Sequence, residues 1–450
     1  MKLFGTDGIR GKANVFPITP ELALLVGKAV AKECAAGGHG SRRAVLGKDT
    51  RLSGYMLENA ISAGLLSMGM DVLAVGPMPT PAVAQLTRSL CADCGIMITA
   101  SHNPAEDNGI KIFGADGFKL DDRRTEEIER LIADEELSSS HIANSMIGKA
   151  RRIDDARGRY IEFAKSSIRN RPLSGIKLVL DCANGAAYPL APPIFRELGA
   201  EVIAVGVSPD GENINAGCGA TAPEHLSRLV VEHRADLGIA LDGDADRVIF
   251  CDDLGNIVDG DRIIGMIALD CHRRGRLSGD AAVVTVMSNL GLVAALHEAG
   301  IGVITTDVGD HKVIEAMREH NCNVGGEKSG HVIFLDYVTT GDGIITALHV
   351  LEQMKRENRT LREAAAFMRE YPQRLINLPV IEKRPLEEMP ELQRQLQAMR
   401  DELGESGRAL IRYSGTENKL RILVESRDEK TTESWSNRLT TAIDPEVLKC

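Results

Sequence analysis

The stretch Lys177-Leu178-Val179-Leu180, followed by residues 189–198 and then by Gly199-Ala200-Glu201-Val202-Ile203-Ala204-Val205-Gly206, decides the fold. Its first part is short and apolar, which reads as a buried strand. Residues 189–198 read as a helix, and Gly199 closes it because glycine takes the left-handed conformation at a helix end without steric cost. The second apolar run is another strand. Strand, helix and strand in that order give two parallel strands joined by a right-handed crossover.

The rhythm recurs twice. Ala44-Val45-Leu46, residues 54–68 and Gly69-Met70-Asp71-Val72-Leu73-Ala74-Val75-Gly76 repeat it, as do Ala282-Val283-Val284-Thr285-Val286, residues 290–299 and Gly300-Ile301-Gly302-Val303-Ile304. The predicted class is therefore α/β, with three similar α/β domains whose sheets are mixed and largely parallel. Beyond residue 370 the pattern changes to an amphipathic helix at 386–402 with short strands at 375–381, 409–412 and 420–425, a smaller C-terminal α+β domain. The expected boundaries are 1–150, 151–253, 254–369 and 370–450, with connectors near 149–155 and 252–260. Four domains suit 450 residues, since single cores stop growing at roughly 250–300.

With 43% hydrophobic and 26% charged residues the composition is that of a globular protein. No apolar run reaches the ~18 residues of a membrane span, and the first residues lack the apolar core of a signal peptide, so a cytoplasmic location is expected. A net charge of −11 argues against nucleic acid as a partner. It leaves room for a small anion, because a few arginines in a cleft outweigh the global field locally. The nine cysteines are mostly scattered. Cys91-Ala92-Asp93-Cys94 has zinc-like spacing without two further ligands, so reduced thiols packed as small apolar residues are expected.

Four motifs carry chemistry. Thr99-Ala100-Ser101-His102-Asn103-Pro104 follows the apolar Ile96-Met97-Ile98 and presents Ser101 at the carboxyl end of a strand, where open α/β sheets place ligands. Adjacent His102 is expected to point away, as neighbours in an extended segment do. Asp242-Gly243-Asp244-Ala245-Asp246-Arg247 lies between two strands, and alternate carboxylates on an extended backbone would share one side. Three such carboxylates repel each other unless a cation joins them, and their hard oxygens select Mg²⁺, Mn²⁺ or Ca²⁺. Arg412-Tyr413-Ser414-Gly415-Thr416-Glu417-Asn418, with Arg421 beyond, offers hydroxyls, backbone N–H groups and guanidinium forks to a phosphate. Gly325-Gly326-Glu327-Lys328-Ser329-Gly330-His331 offers Glu327 and Ser329 as a pair for adjacent sugar hydroxyls.

In these four motifs, in order and along its whole length, the chain resembles the α-D-phosphohexomutase superfamily. The opening Phe4-Gly5-Thr6-Asp7-Gly8-Ile9-Arg10-Gly11, with Gly47-Lys48-Asp49-Thr50-Arg51 and Gly76-Pro77-Met78-Pro79-Thr80-Pro81, is similar to the branch that acts on hexosamine phosphates. The resemblance implies four domains around a central cleft. It implies a phosphorylated Ser101, with Mg²⁺ held by Ser101, Asp242, Asp244 and Asp246. Arg10, Lys111 and His331 would lie near the reacting oxygens, with Lys111 and His331 both open as the proton acceptor. Arg51, Arg247, Glu327, Ser329, Arg412, Ser414, Gly415, Thr416 and Arg421 would hold the substrate. The implied partners are a hexosamine phosphate and its 1,6-bisphosphate, and a homodimer is among the expectations. The implied reaction moves a phosphoryl group between the 6- and 1-positions. Mannose or glucose phosphates are the neighbouring expectation; a metal-dependent serine phosphatase or a non-catalytic sugar-phosphate sensor is more distant. Two departures from the branch stand out: His311 and Lys312 replace the usual arginine and tyrosine, and Asn418 replaces a proline.

Overall fold

The structure is a computed structural model that describes residues 2–5, 7–36, 40–414 and 418–448. The chain falls into two units, Met1–Thr285 with Ile304–Ala365, and Val286–Val303 with Ala366–Cys450.

The first unit carries three sheets built on one plan. Two successive strands lie side by side, a third lies on the far side of the first, and a fourth runs along the third. In the first sheet these are Arg43–Lys48, Asp71–Pro77, Cys94–Ile98 and Asp107–Gly114, with Ile9–Lys12 and Ala150–Arg152 at the edges. In the second they are Lys177–Asp181, Glu201–Val205, Leu237–Leu241 and Val248–Asp252, followed by Ile257–Val258. In the third they are Ala281–Thr285, Gly302–Thr306, Val324–Gly326 and Val332–Phe334. The third strand is parallel to the first in every sheet, and the fourth is antiparallel to the third. The central strands Leu237–Leu241 and Ala281–Thr285 are buried throughout, as strands covered on both faces must be. Helices Pro20–Ala36 and Ser53–Ser67 pack backbone to backbone: a Cβ on Gly27 would sit 2.4 Å from the Ile61 carbonyl oxygen, and one on Gly64 2.2 Å from that of Leu24.

This plan places one loop, between the third and fourth strands, at the same point of each sheet. Residues 99–106, 242–247 and 327–331 fill it. Three of the four sequence motifs therefore occupy equivalent positions of a repeated fold.

Two expectations change. Residues 149–155 and 252–260 are more than connectors, since Ala150–Arg152 pairs with Asp71–Pro77 and Ile257–Val258 with Val248–Asp252. The helix expected at 386–402 starts only at Pro390, after a single turn at Leu386–Glu388; proline has no N–H to satisfy at a first helical position. Among the described residues no helix is long and apolar enough to cross a membrane. Of the eight described cysteines, all are free thiols and only Cys91 is exposed.

The second unit has an antiparallel sheet with Lys419–Ser426 between Gln373–Pro379 and Gly407–Tyr413. Helices Pro390–Leu403 and Glu429–Thr441 flank a core of Trp435, Leu439, Leu420, Ile422 and Val424. Helix Leu290–Glu298 belongs to this unit because the Leu290 N–H donates to Glu425 Oε1 at 2.7 Å, while Asn289 bonds both backbone groups of Tyr371 at 2.9 Å.

Candidate active site

Ser101 leaves its strand with φ +53°, in the left-handed region, and is only 1% exposed. Its N–H donates to Thr99 Oγ1 at 2.9 Å, and Thr99 in turn donates to Asp49 Oδ2 at 2.7 Å. Arg51, expected at the substrate, stands elsewhere. Its side chain is wholly buried, pairs with Asp49 at 2.9 Å, and donates to the carbonyls of Ser101 at 3.0 Å, Asn103 at 2.8 Å and Pro104. A guanidinium so engaged has no face left for a ligand, so Arg51 braces the serine loop from beneath. His102 is a second correction. The left-handed turn at Ser101 brings its Nδ1 back to 3.4 Å from Ser101 Oγ. Burial, then Arg247 and Arg10, push the imidazole down to about 4, so it is neutral at pH 7.

The aspartates converge, by a route other than the extended one expected. The Ala245 N–H donates to the Asp242 carbonyl at 3.1 Å and Ala245 has φ +56°, which makes the segment a tight turn. One carboxylate oxygen from each of Asp242, Asp244 and Asp246 lies within 4.8 Å of the others, all buried. Ser101 Oγ donates to Asp242 Oδ2 at 2.6 Å. Lys111 Nζ donates to Asp244 Oδ2 at 2.8 Å and Asp246 Oδ2 at 2.9 Å. Thr80, assigned no role from sequence, donates to Asp244 Oδ2 at 2.5 Å. Asp244 Oδ1 and Asp246 Oδ1 remain buried without a hydrogen-bond partner. Two hard, unpartnered oxygens beside a third carboxylate and a serine oxygen form a set that could hold a divalent ion. The electrostatics agree. Burial, with Asp246 and Asp244 beside it, pushes Asp242 well above the carboxylate range, whereas Lys111, His331 and Arg247 overcome burial to hold Asp246 well below it. For Lys111 burial favours the neutral amine, but Asp244 and Asp246 more than reverse that and keep it an ammonium.

Around this cluster, Arg10 lies in the field of all three aspartates with Arg247 beside it; the Nε of each arginine is buried without a hydrogen bond, that of Arg247 4.0 Å from Asp246 Oδ1. His331 Nδ1 is 3.8 Å from Asp246 Oδ1, and its Nε2 accepts the Gly341 N–H at 3.1 Å. Lys119 Nζ bridges Asp7 and Asp310, the latter at 2.5 Å, with Asp310 3.7 Å from His331. Neither Lys119 nor Asp310 carries a sequence signal beyond its charge. Glu327 is buried and accepts the Gly309 N–H at 3.1 Å, whereas Ser329 is exposed. His311 and Lys312 line an open cavity of about 440 Å³ together with Lys111 and Lys119. In the second unit Arg412 and Arg421 are register partners on adjacent strands, and the Ser414 carbonyl accepts from Lys383 at 2.6 Å. Gly415 and Thr416 lie outside the described residues.

Four family models match in succession: the phosphoglucomutase/phosphomannomutase alpha/beta/alpha domains I, II and III at residues 1–139, 158–255 and 259–371, and the C-terminal domain at 375–442. The chain belongs to the phosphoglucomutase/phosphomannomutase family. Its relatives include a phosphoglucosamine mutase of Pelobacter propionicus, 53% identical over 439 residues and covering 97% of each chain. Another, from Citrifermentans bemidjiense, is 52% identical over 443 residues, 98% of this chain and 97% of the relative. A phosphoglucomutase/phosphomannomutase family protein of Burkholderia thailandensis has the same fold, with a TM-score of 0.81 and 25% identity over 97% of this chain and 96% of the other. An Aspergillus fumigatus N-acetylphosphoglucosamine mutase, solved with GlcNAc-6P and magnesium, shares the fold at a TM-score of 0.62 and 19% identity, over 98% of this chain and 96% of the other.

Proposed function

We propose that this chain is a phosphoglucosamine mutase that interconverts glucosamine 6-phosphate and glucosamine 1-phosphate through a phosphorylated Ser101 and a 1,6-bisphosphate. One observation carries the reading: a lone, buried serine hydroxyl donates at 2.6 Å to one of three converging carboxylates. The names of relatives matching over nearly the full length supply the sugar.

Phosphoserine 101 gives its phosphoryl group to the free hydroxyl of the bound sugar phosphate. The Ser101 O–P bond breaks, a sugar O–P bond forms, and the hydroxyl proton passes to a base while the serine oxygen takes one up. The bisphosphate turns and returns its other phosphoryl group by the reverse step. Asp242, Asp244, Asp246 and the serine oxygen would hold Mg²⁺, which supplies charge neutralisation for the moving group. Lys111, kept as an ammonium, contributes positive charge together with Arg10 and Arg247. Neither residue left open by the sequence as proton acceptor has a free lone pair here: Lys111 is an ammonium, and His331, raised against burial by Asp246 and Asp310, accepts the Gly341 N–H on Nε2, so the role is assigned to neither. Glu327 and Ser329 would face the sugar. Arg412, Ser414, Gly415, Thr416 and Arg421 would hold the distant phosphate and so turn binding into alignment. Arg51 is assigned to the loop instead of the substrate. Domains at 1–150, 151–253, 254–369 and 370–450, a cytoplasmic location and a homodimer belong to the same reading.

The test is kcat/KM for glucosamine, mannose and glucose phosphates, with inorganic phosphate assayed alongside. Preference for glucosamine phosphate supports the assignment. A higher value for mannose or glucose phosphate moves the substrate, and phosphate release in step with turnover makes the protein a phosphatase.

A further inference from the structure

The left-handed backbone of Ser101 demands an explanation. A residue with a side chain is strained there, and holds the conformation only where its surroundings impose it. The Ser101 carbonyl is gripped twice. Arg51, from the loop after Arg43–Lys48 in the first sheet, donates to it at 3.0 Å. Asn215, from the loop after Glu201–Val205 in the second sheet, donates to it through Nδ2 at 2.9 Å, and to the Asn103 carbonyl at 3.1 Å. Two hydrogens on one nitrogen meet two carbonyls, so the amide orientation is fixed by its neighbours. That orientation leaves Asn215 Oδ1 buried with no partner, a cost the site bears to keep both donors on the loop. Asn215 is itself left-handed, at φ +59°, which asparagine tolerates, and its N–H is anchored to the Ala183 carbonyl at 2.9 Å. The two loops touch without side chains between them: a Cβ on Gly243 would lie 2.5 Å from the Ser101 carbonyl oxygen and 3.0 Å from Asn215 Nδ2.

Arg51 and the serine loop belong to the same sheet, so that grip shapes the loop without aiming it. The three carboxylates belong to the second sheet. Thr50 bonds Asn184 at 2.6 Å and Thr80 bonds Asp244, which also join the two sheets. Among the described residues only Asn215 carries a second-sheet side chain to Ser101's own peptide. We infer that Asn215 is a positioning residue: it registers the serine loop against the aspartate loop and so sets the Ser101 oxygen within reach of the carboxylates. The effect on rate rests on the mutase reading; the effect on the loop does not.

The test uses the full chain with Asn215→Gly, which keeps the left-handed backbone, and Asn215→Asp, which keeps the size but replaces the donating nitrogen by an acceptor oxygen facing two carbonyls. In both variants kcat should fall by about 10–100-fold, as expected for a reacting group displaced by about 1 Å, with the sugar-phosphate KM within roughly twofold of wild type. Amide hydrogen exchange should quicken at residues 99–104 and not across the two sheets. Wild-type kcat in both variants would overturn the inference. So would exchange rising throughout both sheets and not only at residues 99–104, which would mark a merely structural role. If the wild-type chain shows no mutase turnover, the proposed function falls, and the exchange rates of residues 99–104 still decide whether Asn215 holds the loop.

Discussion

At the scale of single residues, chemistry and conformation meet in Ser101. Its oxygen is buried, bonded to Asp242 and neighboured by an imidazole that stays neutral. Ser101→Ala should lower turnover by about a thousandfold or more, since it removes the proposed phosphoryl carrier and the nearby Thr80 hydroxyl is committed to Asp244, while sugar-phosphate binding by calorimetry persists. Thr80→Val is the finer probe. It removes one hydroxyl that orients Asp244 and changes little volume, and should weaken Mn²⁺ binding by about 10–100-fold in a titration. Ser101 and the aspartates were legible because their types and spacing have few structural uses. Arg51 was not, because a cation in Gly47-Lys48-Asp49-Thr50-Arg51 reads as a ligand for an anion. Its burial comes from Asp49 two residues back and from carbonyls some fifty residues ahead. His102 was misread for a related reason: the extended geometry that would turn it away is replaced by one positive φ.

At the scale of elements, the sequence pattern showed strand–helix–strand units, a strand before Ser101 and strands on both sides of the aspartates, but not how they pair. Pairings across tens of residues, such as Val283 with Gly325, leave no local signature. Hence the equivalence of the three loops emerged only from the sheet order. Arg51→Met tests the brace beneath the first loop. It strands Asp49 in the interior without its cation and should cost roughly 3–5 kcal/mol, seen as a lower urea midpoint; Arg51→Lys should cost less. A pH test lies at the cap of helix Gly343–Glu357. Asp342 accepts from the N–H groups of Ile344 and Ile345 at 3.0 and 2.9 Å and from the Tyr160 hydroxyl at 2.7 Å. Burial outweighs these bonds and raises it to about 6. A carboxyl raised in the fold binds its proton more tightly folded than unfolded. Its contribution is therefore complete below about pH 4 and is lost as the pH rises toward 6, roughly 3 kcal/mol in all. Asp342→Asn keeps the cap without the charge, so its stability should gain on wild type between pH 4 and 6. An unchanged difference across that range would contradict the assignment.

At the scale of the whole molecule, four successive domain matches and relatives covering 97% or more of the chain agree with the repeat read from the sequence. A net charge of −11 sits on a chain whose proposed substrate is an anion. Lys111, Arg10, Arg247 and the cavity lysines supply the local opposite sign, so global charge says little about the ligand. The most direct measurement is the mass of the full chain and of its Ser101 peptide after brief mixing with a 1,6-bisphosphate of glucosamine or glucose and Mg²⁺. The expected result is one phosphoryl group per chain, on Ser101, discharged to a hexosamine monophosphate at the rate of turnover. Turnover with Ser101 never phosphorylated, or a phosphoryl group there that leaves only to water, would contradict it.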